Sequence, residues 1–230
     1  MSVILNIDTA TDIAHISLSK AGVILDSLTN ADQKDHGSFL QPAIQKLLKN
    51  NFISIQELDA IALSAGPGSY TGLRVGMASA KGLCFALQKP LITISSLEII
   101  AYAAILEAPL QNDSTEVLFC PMIDARRMEV FTALYSSQLE TLLEPQAIII
   151  EQDSFAKYLL QNKIFFVGNG AAKWEIICKN KNAFFSSNSS NLLAMNKLSF
   201  KKYENKDFTD LAYSEPSYLK EFFEGIKPSL

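Results

Sequence analysis

The residue types best suited to chemistry fall in four short polar turns, each following an apolar run. Asp8-Thr9-Ala10-Thr11 offers a carboxylate and two hydroxyls. These could face a phosphate or a hydrated metal ion, or could simply close a turn, for which Asp and Thr are well suited. The stretch Gly66-Pro67-Gly68-Ser69-Tyr70-Thr71-Gly72-Leu73-Arg74-Val75-Gly76 is the one the chain is organised around. Its glycines permit positive backbone angles and close approach of another group. Pro67 fixes one angle and removes a donor, Ser69 and Thr71 suit a helix cap, and free amides at a helix start attract anions. The stretch therefore reads either as a capped structural turn or as a phosphate cradle or docking platform. Asp124-Ala125-Arg126-Arg127 and Gly168-Asn169-Gly170-Ala171 are the third and fourth turns.

Other chemistry finds little support. The 2 histidines, His15 and His36, form neither His-x-x-x-His nor His-Glu-x-x-His, which excludes a two-histidine metal site on one helix. Each reads as structural, with His36 at the solvent end of a helix. No Gly-x-Ser-x-Gly elbow and no Cys/His arrangement is found. The 3 cysteines, Cys84, Cys120 and Cys178, form no Cys-x-x-Cys and cannot all pair, which suits a reducing compartment.

The turns need elements to hold them. Runs at 3–7, 13–18 and 23–28 read as an antiparallel meander with Asp8 to Thr11 in its first turn. A helix follows at 37–50, with Phe39, Leu40, Ala43, Ile44, Leu47 and Leu48 at helical spacing. A strand at 60–63 leads through the glycine stretch into a helix at 73–87. There Gly72, Gly76, Ala80 and Cys84 form a ridge of small residues along which another backbone could pack. Val75, Met77, Ala78, Leu83 and Phe85 make that helix apolar on more than one side. Such a helix is central in its domain or meets another protein, and the second reading is favoured. Arg74 and Lys81 are its only charges.

A strand at 91–94 and a helix to about 106 precede the polar segment 107–116, the expected boundary between two lobes, 1–106 and 107–230. The second lobe repeats the plan: strand 117–123, polar turn, strand 129–135. Residues 148–150 read as a short strand, 154–161 as a helix, 164–167 as a buried strand and 179–191 as a flexible loop. A helix at 192–198 and an extended tail through Pro216 close the chain.

With 48% hydrophobic residues over 230 positions, a packed core is expected in one large or two small domains. A net charge of −4 gives no basic footprint of a stand-alone nucleic-acid binder. Lys197, Lys201, Lys202 and Lys206 read as a solvated face that could help only inside an assembly. The N-terminal run is broken by Asn6 and Asp8 and lacks a basic leader, so it does not read as a signal peptide. No apolar run approaches the roughly 20 residues of a membrane span, and a cytoplasmic location is expected.

Together the four turns, His36 with Leu40 and Pro42, and the terminal Pro216-Ser217-Tyr218-Leu219-Lys220 resemble the TsaB family, also called YeaZ, over nearly the whole chain. The family tail normally reads Tyr-Leu-Arg, and Lys220 departs from it; Met128 stands where the family often has a smaller or polar residue. The resemblance implies an α/β, two-lobed actin-like or hexokinase-like (ribonuclease H-like) fold, with a mixed sheet and helices in each lobe. It also implies a non-catalytic, partner-binding subunit. This would pair with a TsaD-like catalytic protein and work with a TsaE-like ATPase, completing threonylcarbamoyl transfer to the adenosine beside the tRNA anticodon. A homodimer is expected when the chain is alone, and tRNA contact only through the complex. The implied pairing surface comprises Phe39, Ile44, Leu47, Leu73, Arg74, Val75, Met77, Lys81 and Cys84. No cofactor is required, although Asp8, Thr9, Thr11, Gly168 and Gly170 match loops that contact phosphates in the actin-like superfamily, so weak ATP or ADP binding stays open. The competing reading is an independent ATP-binding phosphotransferase or a glycoprotease-type peptidase of the same fold.

Overall fold

The computed structural model describes residues 2–32, 35–108, 117–186 and 191–220. Its first sheet is built from β1 (Val3–Asp8), β2 (Ala14–Lys20), β3 (Val23–Asn30), β4 (Ala60–Gly66) and β5 (Leu91–Ser95), in the order β3-β2-β1-β4-β5. β1 is buried along its whole length, antiparallel to β2 and parallel to β4. A strand covered on both faces explains the near-continuous apolar run.

Alternate residues of β1 serve two cores, as strand geometry requires. Val3, Leu5 and Ile7 pack with Leu40, Ile44, Leu47, Met77 and Cys84 of helices α1 (His36–Asn50) and α2 (Tyr70–Leu87). On the opposite face, Ile4 packs with residues of α3 (Ser96–Glu107) and α6 (Asn191–Glu204). Asn6 also faces α6, and its Nδ2 donates to Asn196 Oδ1 at 2.9 Å. Asn196 in turn donates to Ser17 Oγ at 2.9 Å, so the return of α6 is pinned by a buried polar cluster.

The second sheet has the same plan. β6 (Val117–Asp124), β7 (Glu129–Tyr135) and β8 (Thr141–Ile149) form the meander, and β9 (Lys163–Val167) and β10 (Ala183–Ser186) add parallel strands, in the order β10-β9-β6-β7-β8. Asp8 and Asp124 thus close equivalent central strands. Short helices α4 (Ala156–Leu159) and α5 (Ala171–Glu175) cover this sheet over a core in which Trp174 meets Phe166 at 4.5 Å and Phe155 at 5.1 Å between ring centroids.

α3 lies between the two sheets. Ile99 and Ala103 join the core on the Ile4 face of the first sheet, while Leu97, Ile100 and Ala104 pack with Phe119, Ile123 and Tyr135. Burial on several sides explains why its sequence shows no single apolar stripe.

Four readings need correction. β8 extends well beyond the expected 148–150; it is an edge strand containing Glu144 and Pro145, both tolerated where one side of the ladder is open. The expected flexible loop at 179–191 contains β10, held by Phe184 stacked on Phe165 at 5.2 Å and Phe185 on Phe166 at 5.4 Å. Residues 187–190 of that loop, 33–34 of the earlier polar loop and 109–116 of the expected boundary lie outside the described residues. α6 runs to Glu204 and packs on the first sheet, as does the segment after it, through Thr209 and Ser217. The strands divide between Ser95 and Val117, but residues 191–220 are not confined to the second lobe. Finally, His36 is not at a solvent end: it is 3% exposed, and its Nε2 lies 3.1 Å from the Thr11 carbonyl oxygen.

Candidate functional site

The glycine stretch does receive another backbone, and that backbone is the chain's own. β4 ends at Gly66 and α2 starts at Tyr70, its first turn capped by Ser69 Oγ, which accepts from the Gly72 amide at 3.4 Å. Ser69 N donates to the Ala10 carbonyl at 2.7 Å, and Thr9 Oγ1 donates to the Gly72 carbonyl at 2.8 Å. A Cβ on Gly68 would sit 2.0 Å from the Ala10 oxygen, one on Gly72 2.1 Å from the Thr9 oxygen, and one on Gly76 2.5 Å from Thr9 Oγ1. The small-residue ridge thus docks the turn after β1, and the close approach expected from its spacing is intramolecular.

The second lobe repeats the device. Gly168, at φ 102°, would place a Cβ 2.5 Å from the Met122 oxygen, and one on Gly170 would lie 3.1 Å from the Asp124 nitrogen. In each lobe a glycine turn closes over the end of the central strand. Of the five residues matched to phosphate loops, Asp8, Thr9, Gly168 and Gly170 are consequently buried, and Thr11 is half-buried with its hydroxyl donating to the Ile13 carbonyl. The turns of the two lobes also meet: Asn169 accepts from the Asp124 amide at 2.9 Å and donates to Asp12 Oδ2 at 3.5 Å. Among the described residues, no group of three or more His, Cys, Asp or Glu side chains is placed to hold a metal ion.

Burial pushes the Asp8 carboxyl above its ordinary range, against the opposing pull of the Ala10 amide and of His15. A raised folded-state value means that folding favours the protonated form. The stability held by this group is therefore greatest below the unfolded carboxylate value and is lost as pH rises through the folded one. Asp8→Asn keeps an acceptor for the Ala10 amide and removes the buried charge. It should raise the urea midpoint at pH 7, with the advantage shrinking as pH falls through the raised folded value and gone by about pH 4. A constant difference across that range would show that burial of the charge is not the cause.

The proposed pairing residues separate into three groups. Ile44, Leu47, Met77 and Cys84 are buried in the first core, and Leu73 is buried as well, so in this chain alone the side chains of these five are packed inside the lobe. Burial raises the Cys84 thiol to about 11. Phe39 and Val75 are half-buried at the margin of the same core. Lys81 and Arg74 serve the chain itself. Lys81 Nζ donates to the Ala212 and Ser214 carbonyls at 3.2 and 2.9 Å, and Arg74 Nε donates to Tyr218 Oη at 3.2 Å while its guanidinium lies 4.1 Å from the Tyr70 ring centroid. These contacts, with Thr209 N bonded to the Leu91 carbonyl and Ser217 N to the Ala65 carbonyl, fasten residues 209–220 as a strap along α2, β5 and the end of β4. Sequence reasoning places that tail in an extended form but has no signal for its destination.

The outward side of α2 carries Thr71, Arg74, Ala78, Gly82, Phe85 and Ala86, all exposed, and Phe85 is 80% exposed. Apart from Arg74, no residue on this side is charged. The outward side of α1, by contrast, carries Gln41, Gln45, Lys46 and Lys49. No helix among the described residues is long and apolar enough to cross a membrane.

A family model described as TsaD, tRNA N6-adenosine threonylcarbamoyltransferase, matches residues 24–222. The chain is 32% identical over 150 residues to the tRNA threonylcarbamoyladenosine biosynthesis protein TsaB of Bacillus subtilis, covering 64% of this chain and 62% of that protein. It is 28% identical over 226 residues to the Haemophilus influenzae protein of the same name, covering 94% and 93%. The matched region thus spans less than two thirds of the Bacillus relative and nearly all of the Haemophilus one. Among solved structures, a Pseudomonas aeruginosa protein described as similar to the peptidase YEAZ superposes with a TM-score of 0.79 at 25% identity, covering 96% of this chain and 100% of that one. The polyphosphate/ATP-glucomannokinase of an Arthrobacter strain, with a TM-score of 0.51 at 9% identity and coverage of 89% and 100%, shares the fold alone.

Proposed function

The chain belongs to the TsaD family, with proteins named TsaB and YeaZ among its relatives, and on that premise we propose that it serves tRNA threonylcarbamoyladenosine biosynthesis as a non-catalytic subunit. Its role is to pair with a TsaD-like catalytic protein, with a TsaE-like ATPase completing the assembly and tRNA reaching it only through the complex. The observation that carries this reading is the outward side of α2. It combines exposed Ala78, Gly82 and Phe85 with a single charge, on a helix whose inner side is already fully packed. Surface helices ordinarily present charged residues outward; an uncharged outward ridge fits a protein contact. The burial of Asp8 and Thr9 under the glycine ridge supports a supporting rather than a catalytic role, since neither side chain is free to meet a substrate.

The pairing acts on function through shape. A specific interface of about 1,200–2,000 Å² would fix the partner's helices and hold its cleft in a competent shape. The reading is tested by size-exclusion chromatography with light scattering, on the chain alone and mixed with a TsaD-like protein. A one-to-one complex should replace a monomer or homodimer. Failure to form any complex at micromolar concentrations, with and without ATP and a TsaE-like protein, overturns it.

A further inference from the structure

The outward ridge of α2 is too small to make the proposed contact by itself. A helix of 18 residues is about 27 Å long and one side of it about 10 Å across, a footprint of roughly 300 Å². A standard interface takes about 800 Å² from each partner. The contact must therefore extend onto what flanks α2. On one flank lies α1, packed over β2 and β3, with Gln41, Gln45, Lys46 and Lys49 outward. On the other, along the β5 edge of the first sheet, runs the strap, which bridges to that edge at Thr209 and Leu91.

Residues 210–214 of the strap form a tight turn held from several sides. The Asp210 carboxylate accepts from the Ala212 and Tyr213 amides at 2.8 and 3.2 Å, and the Asp210 carbonyl accepts from Ser214 N at 3.0 Å. Leu211 packs against the first core. Lys81 reaches across from α2 to the carbonyls of Ala212 and Ser214, on either side of Tyr213. What this turn presents is the Tyr213 ring, which is 87% exposed. A single exposed aromatic residue is ordinary; one on a backbone fixed at this many points is pre-organised. Lys81 is a helical neighbour of both Ala78 and Phe85, so the turn sits beside the uncharged ridge and the ring continues it. A tyrosine presented in this way offers a large contact area at small entropic cost.

We infer that the strap belongs to the partner surface and that Tyr213 is an anchor, received by an apolar pocket on the TsaD-like protein. The inference rests on the pairing reading and adds a second element to it. Its test is a calorimetric titration of a TsaD-like protein with the full-length chain, as wild type, Tyr213→Ala and Tyr213→Phe. Tyr213→Ala should weaken pairing by about thirtyfold or more, while Tyr213→Phe, which keeps the ring, should stay within about threefold of wild type. Because the ring touches little of its own chain, both variants should melt within about 2 °C of wild type. If the wild type pairs and Tyr213→Ala pairs equally well, the inference is overturned and the pairing reading stands. Equal losses in the two variants, or a loss accompanied by a lowered melt, also overturn the ring as the anchor. Failure of the wild type to pair overturns the pairing reading itself, and this inference with it.

Discussion

Gly68→Ala should lower stability by roughly 3 kcal/mol or more, against a small gain for Gly82→Ala on the same stretch of chain. The contrast follows from what each new methyl group would meet. At Gly68 it would sit 2.0 Å from the Ala10 carbonyl oxygen, and the obstacle is backbone. Neither side can turn away, because Ala10 is held by the Ser69 amide and Thr9 by the Gly72 carbonyl. Relief therefore requires the turn after β1 to separate from α2, breaking both bonds and exposing Thr9 and Ala10, each now fully buried. At Gly82 nothing lies within 4 Å, so alanine only removes backbone freedom from a helix interior and should stabilise by about 0.5–1 kcal/mol. Gly72→Ala, with its methyl 2.1 Å from the Thr9 oxygen, should behave like Gly68→Ala. Urea midpoints of the three variants decide the matter. Equal midpoints for Gly68→Ala and Gly82→Ala would mean that the first turn is not clamped by the glycine ridge.

That contrast also shows what the sequence can and cannot reveal. The four-residue spacing of Gly72, Gly76 and Ala80 is readable as a surface for close backbone approach, and the structure fills it with Thr9. Spacing names the property of a surface and not its occupant, because the occupant comes from a turn more than sixty positions away in sequence. The same limit applies to Ile44, Leu47 and Met77. Helical periodicity places Ile44 and Leu47 on an apolar stripe of α1 and Met77 among the apolar positions of α2, but a stripe facing the sheet and a stripe facing a partner have the same period. The repeated plan of the lobes is legible because Asp8 and Asp124 each close an apolar run. β8 is not, since Glu144 and Pro145 interrupt the pattern of an edge strand. His36 is misread because nothing local announces that its imidazole reaches the Thr11 carbonyl.

Pairing should fail in the double variant Ala78→Glu with Phe85→Glu, with affinity for a TsaD-like protein falling by about 100-fold or more. Both positions are on the outward side of α2 and both are exposed, so the isolated chain should keep its stability to within about 0.5 kcal/mol. Glutamate is a good helix former, which removes propensity as a cause. Within an interface, however, each carboxylate would lose water without gaining a cation, and an unpaired buried charge costs about 2–5 kcal/mol. Met77→Glu provides the necessary contrast. Met77 is 5% exposed and packed with Leu5, Leu47 and Leu63 in the first core, so a charge there should unfold the lobe rather than act on pairing. Light scattering of the mixture and thermal melting of each chain alone separate the two effects. Loss of pairing with an unchanged melt assigns the contact to the outward ridge. Undiminished pairing by the double variant would move the contact away from α2, and the half-buried margin at Phe39 on α1 would be the next surface to alter.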